Sequence, residues 1–298
     1  MSTTDSPDTS EVKVWLDYTQ AELDDQYNQR ILVPDANDYM ARWGDESERL
    51  RGILNCSLDV AYGPSDAERL DIFPAPAANA PVVVYFHGGA WTRWDKANNS
   101  FQAVPFTGAG ATFVSVDFAL VPLVTLDELI RQCRAAVAWV HGNARGFGGD
   151  PDRLYIAGHS SGGHEVGMLA TTDWTDWGLP GDVIKGAFAA SGIYELEPVR
   201  LSSRNEYLRL DKDATRRNSA IHHIRDVMPP MLIAYGENEQ REFRRQSITF
   251  AQALRGSGHT VRELDLSGLN HFEVAEQYGD AEGSLLQAVF EGMGLSAN

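Results

Sequence analysis

The heptapeptide Gly158-His159-Ser160-Ser161-Gly162-Gly163-His164 sets Ser160 between glycines at minus two and plus two, the only serine of the group so flanked. A serine hydroxyl is a poor nucleophile at its ordinary pKa, so an enzyme exposes it on a sharp turn and gives it a base. The flanking glycines lack the Cβ that would collide with neighbouring chain in such a turn. The strand-like run Arg153 to Ala157 precedes the motif, and a helix-like run through Val166, Met168, Leu169 and Ala170 follows it. This is the strand, turn, helix setting of a nucleophile elbow. Ser160 is the candidate nucleophile, although a serine-glycine helix cap gives the same local pattern.

A second motif separates the two readings. Val82-Val-Val-Tyr-Phe86 reads as a fully buried strand and runs into His87-Gly88-Gly89-Ala90-Trp91. The N–H groups of Gly88 and Gly89, with that of Ser161, are candidate oxyanion-hole donors, because no side chain shields them from a developing negative charge. The acid and base of a triad should follow in chain order. Met231 to Tyr235 reads as a buried strand ending at Gly236, and the loop after it offers Glu237, Glu239 and Glu242. Glu242 opens a helical run, where the helix dipole alone accounts for an acid. Glu237 directly follows the strand, and Glu239, mid-loop, is preferred. Val261 to Leu266 alternates like a last strand, and the loop leaving it carries His271, the proposed general base. His87 and His159 adjoin the glycines of both motifs and are assigned to bracing. His164, one turn after Ser160, is read as structural.

With these residues in view the chain resembles the α/β-hydrolase fold, and within it the kynurenine formamidase (arylformamidase) and carboxylesterase group. The resemblance is carried by His87 to Trp91, Asp117-Phe118-x-Leu120-x-Pro122, Gly158 to Gly163, Glu239-x-x-Glu242-Phe243-x-Arg245-Gln246-Ser247 and Asn270-His271-Phe272. It implies a mostly parallel central sheet with helices on both faces and a helical cap. It also implies the triad acid at Glu239, usually aspartate in formamidases, and the base at His271. Ala90 stands where the family often has tyrosine.

The elements that must position these residues are legible as alternating strands and helices, the βαβ rhythm of a parallel sheet. Strands are expected near Leu58 to Tyr62, Arg69 to Phe73, Val82 to Phe86, Thr112 to Asp117 and Ile184 to Ala190, and a helix from about Leu126 to Asn143. Residues 1–10 read as a disordered tail and 11–298 as one domain. Residues 14–54 carry amphipathic helical periodicity, and 192–224 interrupt the rhythm; both are expected to form cap elements, the second equally readable as a surface insertion. Among Trp91, Trp94, Phe118 and Tyr194, Trp91 is the preferred substrate-binding aromatic because it belongs to the oxyanion loop.

The 298 residues, 43% hydrophobic, suffice for one large core. The net charge of −17, from 42 acids against 25 bases, argues against nucleic acid and anionic membrane as partners. Apolar runs are strand-sized, the start lacks signal-peptide features, and a cytoplasmic protein is expected. Cys56 and Cys133 make no disulfide framework. No metal-ligand spacing, G-x-G-x-x-G or Walker loop appears, so no cofactor or metal is expected. The sequence thus points to a cofactor-free serine esterase for small or aryl esters. An arylformamidase using the same residues and a non-catalytic hydrolase-like binding protein are the alternatives. Ester hydrolysis is preferred as the less demanding reaction and because Glu239 departs from aspartate. The substrate is a small-molecule ester or amide, and the oligomeric state is left open.

Overall fold

The run Ala80–Phe86 is buried at every position because it is a central strand covered on both faces. Val82, Val84 and Phe86 enter one core and Val83 and Tyr85 the other, the period-two alternation of a pleated strand. The computed structural model describes residues 12–296, so the expected tail at 1–10 lies outside the described residues. A small antiparallel ribbon, β1 (Lys13–Trp15) and β2 (Tyr18–Thr19), precedes the main sheet. That sheet comprises β3 (Ser57–Ala61), β4 (Arg69–Phe73), β5 (Ala80–Phe86), β6 (Thr112–Val116), β7 (Gly149–His159), β8 (Ile184–Ala190), β9 (Met231–Gly236) and β10 (Val261–Leu266). Its order is β10-β9-β8-β7-β5-β6-β4-β3, parallel except where β4 pairs with β3 and β6.

The helices are α1 (Gln20–Gln26), α2 (Ala36–Arg51), α3 (Ala103–Gly108), α4 (Leu126–Asn143), α5 (Ser161–Ala170), α6 (Glu197–Leu201), α7 (Asn205–Leu208), α8 (Lys212–Arg217), α9 (Arg241–Gly256), α10 (His271–Glu276) and α11 (Ser284–Met293). Apolar faces of α4, α5 and α9 cover one side of the sheet, through residues such as Leu129, Val137, Met168 and Phe250. On the other side lie α3 and α11, through Phe106, Leu286 and Phe290. Parallel strands buried on both faces require this two-sided cover. Among the described residues no helix is long and apolar enough to cross a membrane.

The segments 14–54 and 192–224 meet over the carboxyl ends of the strands. Gln20 Nε2 donates to the Leu201 carbonyl at 2.9 Å, the Ser203 N–H to Asp24 at 2.6 Å and Arg204 Nη2 to the Tyr27 carbonyl at 2.6 Å. Helix α2 docks on α10, with Trp43 Nε1 donating to Glu276 at 2.9 Å and Tyr39 stacked on Phe272.

One buried acid stands apart. Glu165, on α5, is wholly buried, and neither carboxyl oxygen has a partner among the described residues. Burial pushes its pKa well above the carboxylate range. Its folded pKa therefore exceeds its unfolded one, so its contribution to stability is complete below about pH 4 and is lost as pH rises toward the folded value. The Glu165→Gln variant should melt several degrees above the wild type at pH 8, with the gap closing at pH 5. Thermal denaturation at both pH values checks this, and a gap independent of pH would contradict it.

Candidate active site

Ser160 follows β7 directly and caps α5, with φ 59° and ψ −121°, a left-handed conformation strained for a residue with a side chain. Gly158 and Gly162 permit this. A Cβ on Gly162 would lie 2.0 Å from the Phe86 carbonyl oxygen, and one on Gly158 would lie 2.5 Å from the Gly162 carbonyl. The strand end, the turn and the helix start are thus in backbone-to-backbone contact.

His271 is the first residue of α10. Asn270 caps that helix, its side chain accepting from the N–H groups of Phe272 and Glu273 while Glu273 reaches back to the Asn270 N–H. The cap fixes the direction in which His271 leaves the loop, and its Nε2 lies 3.0 Å from Ser160 Oγ. On the other side, Nδ1 faces Glu239 Oε2 at 3.6 Å. That is longer than a hydrogen bond, yet both atoms are buried and neither has another partner among the described residues. Glu239 is itself held, its Oε1 accepting from Ser191 Oγ and from the Gly236 N–H. Ser191, just past β8, was not singled out in the sequence; only its place after a strand end could have marked it.

The competing acids go elsewhere. Glu237 accepts from Ser267 Oγ and the Gly268 N–H, which lower its pKa and brace the loop toward His271. Glu242 is buried against Arg245, which in turn reaches Glu195, and desolvation raises the Glu242 pKa.

The loop His87 to Trp91 is strained and glycine-dependent. Gly89, Ala90 and Trp91 have φ of 115°, 55° and 62° in succession, and a Cβ on Gly89 would lie 2.1 Å from the Arg93 carbonyl. The loop is anchored from behind: His87 stacks on Phe118 at 4.4 Å, and the Lys96 N–H donates to Asp117 at 2.7 Å. Gly89 and Ala90 border the cavity above Ser160, whereas Gly88 packs behind it against the His159 carbonyl. Ala90 thus joins Gly88, Gly89 and Ser161 as a residue whose N–H is a candidate donor beside Ser160. The N–H groups of Gly89 and Ala90 donate to no backbone acceptor among the described residues. Ser161 opens α5, where an N–H has no partner within the helix.

Trp91 is also corrected. It is 1% exposed and does not border the cavity. Its Nε1 donates to His164 Nδ1 at 3.1 Å, and His164 Nε2 donates to the Asn218 carbonyl at 2.8 Å. Burial lowers the His164 pKa to about 4, so this imidazole is a neutral strut linking Trp91 of the glycine loop to Asn218. Phe118 and Tyr194 pack in the core as well, on His87 and Phe250. The aromatic walls of the cavity, about 250 Å³, are instead Tyr27, Trp94, Tyr207 and Phe272, with His159 beside Ser160. Among the described residues no group of three or more His, Cys, Asp or Glu is arranged to hold a metal ion.

A strained serine after a central parallel strand, a histidine at its hydroxyl and a glycine loop alongside define an α/β-hydrolase, and the comparisons agree. The BD-FAE family model matches residues 70–186. The kynurenine formamidase of Danio rerio is 31% identical over 295 residues, covering 95% of this chain and 99% of that one. Esterase LipQ of Mycobacterium tuberculosis is 29% identical over 273 residues, 78% of this chain and 64% of its own. An esterase structure from Pyrobaculum calidifontis superposes with a TM-score of 0.70 over 91% of this chain and 99% of its own, at 20% identity. The chain belongs to the kynurenine formamidase family of α/β-hydrolases, and it is a hydrolase of ester or amide bonds.

The backbone contacts at the elbow allow a direct check. Gly162→Ala should cost at least about 3 kcal/mol, since two backbone segments would have to part, and lower Tm by roughly 6–10 °C. Gly142→Ala, in α4 with nothing within 4 Å of the added methyl, should leave Tm unchanged or slightly raised. Calorimetric Tm values of the two variants test the contrast.

Proposed function

We propose that the protein is a cofactor-free serine hydrolase of small, aryl-bearing carboxylic esters, working through an acyl-enzyme on Ser160. The observation that carries the reading is the 3.0 Å approach of His271 Nε2 to a Ser160 hydroxyl held on a left-handed turn. Ser160 Oγ attacks the carbonyl carbon as His271 Nε2 takes its proton. Glu239, facing Nδ1, holds the imidazole in the tautomer that leaves Nε2 free to accept and stabilises the imidazolium that forms; the 3.6 Å gap tightens as charge develops. The tetrahedral oxyanion is received by the N–H groups of Gly89, Ala90 and Ser161, already unpaired and paying no reorganisation. The intermediate collapses, His271 protonates the departing alcohol, and a water activated by the same histidine releases the acid.

Aryl formamides are the second reading, favoured by the extent of the match to the Danio rerio kynurenine formamidase. The same residues serve, with His271 protonating an amine. The aromatic walls suit an aryl group in either case.

Hydrolysis of 4-nitrophenyl acetate and of formanilide by the wild type and four variants tests the assignment. Ser160→Ala should lose at least about 10³-fold in kcat and Glu239→Gln about 10²–10⁴-fold. Glu237→Gln and Glu242→Gln should stay within about 10-fold. Retained activity in Ser160→Ala would remove the nucleophile assignment, and the preferred substrate chooses between ester and formamide.

A further inference from the structure

A second cavity, about 480 Å³, lies at the carboxyl end of α5 and shares no lining residue with the cavity over Ser160. Three guanidiniums border it: Arg134 from α4, Arg217 from the end of α8, and Arg225 just past the segment 192–224. Arg134 is half-buried. Its Nε donates to Thr172 Oγ1 at 2.9 Å, whereas its two Nη groups have no partner among the described residues and are not closed off from the cavity. Burial lowers its pKa, and the charge of Asp127 nearby offsets only part of this. The other two arginines are partly spent. Arg217 Nε and Nη2 donate to Asp127 at 3.2 and 3.1 Å, and Arg225 Nη2 donates to Asp173. The acids bordering the cavity are Asp173, so occupied, and Asp176, which is exposed.

A guanidinium does not shed its proton, so Arg134 stays charged in a setting that hydrates it poorly, and an arriving anion offsets that cost. Spare N–H donors on three guanidiniums around one cavity outnumber the two oxygens of a carboxylate and suit the three terminal oxygens of a phosphate monoester. Met168 and Trp177 give the same cavity an apolar wall for the organic part. Its far side is wired to the active site. Asp127, which holds Arg217, also accepts from Asn218 Nδ2 at 3.1 Å, and the Asn218 carbonyl accepts from His164, whose other ring nitrogen holds Trp91. We propose that this cavity is a second, regulatory site for a small organic phosphate monoester, held by Arg134 with Arg217 and Arg225. A phosphate that draws Arg217 off Asp127 releases Asn218, and with it the His164 strut that braces the glycine loop beside Ser160. The effect on turnover rests on the serine-hydrolase reading; binding of the phosphate does not.

Phenyl phosphate, with benzyl alcohol as the neutral control, is titrated calorimetrically into the full chain. The wild type and Ser160→Ala should both bind the phosphate at least about 10-fold more tightly than the alcohol. Arg134→Met should erase that preference. Arg217→Met removes an exposed side chain whose ion pair with Asp127 stabilises little, so it should reduce the preference severalfold at nearly unchanged Tm, and the test stands even if Arg134→Met folds poorly. In hydrolysis of 4-nitrophenyl acetate, saturating phenyl phosphate should lower kcat severalfold in the wild type and leave kcat of Arg217→Met unchanged. Equal binding of phosphate and alcohol to the wild type, or a preference surviving both arginine substitutions, overturns the site. Purely competitive inhibition, or kcat unchanged with the phosphate bound, overturns its regulatory role. Hydrolysis retained in Ser160→Ala would overturn the nucleophile assignment while leaving the phosphate site to be judged by binding alone.

Discussion

The site depends on one steric constraint, the contact of bare backbone between the end of β5, the end of β7 and the first turn of α5. Gly158 and Gly162 bring the carbonyls of Phe86 and Gly162 to distances that no Cβ would tolerate. This contact forces Ser160 into its left-handed conformation and sets the His87 to Trp91 loop beside it. The strain is held by two cores, one on each face of the sheet, that fix both strands along their length. Interiors packed this closely do not yield by fractions of an ångström without cost, so the turn persists.

Onto this frame the remaining groups are added by loops that the strands aim at the same end of the sheet. The Asn270 cap turns His271 toward Ser160, and Ser191, past β8, holds Glu239. The second ring of residues is mostly neutral: burial depresses the pKa of His87, His159 and His164 alike. Imidazoles kept uncharged around Ser160 brace the loops without competing with His271 for a negative charge. Among the described residues, positive charge reaches the cavity through Arg93, just past the glycine loop, and through Arg30 and the buried Arg204 of the two overlying segments.

What the sequence made legible was what depends on local chain. The elbow turn and the glycine loop after β5 announce themselves because glycine marks backbone proximity, and the central strands because burial on both faces leaves an unbroken apolar run. The helix Leu126–Asn143 was readable from its periodicity at both ends. Glu239 was preferred over Glu237 and Glu242 from loop position, and what separates the three in space is their partners: Ser191 and Gly236, Ser267 and Gly268, and Arg245. Trp91 was misjudged because sequence adjacency to the loop says nothing about side-chain direction, and its left-handed φ turns the indole inward to His164. Arg204, Arg93, Tyr27 and Tyr207 carry no motif; they converge only when segments as much as 180 residues apart in sequence, from Tyr27 to Tyr207, fold over the same strand ends.

The central claim is that Ser160 is an activated nucleophile, and labelling with an alkyl fluorophosphonate followed by peptide mass spectrometry tests it most directly. A phosphonyl adduct on Ser160 alone, formed rapidly in the wild type and at least about 100-fold more slowly in His271→Ala, is the predicted result. An adduct on another residue, or labelling at the same rate without His271, would contradict it.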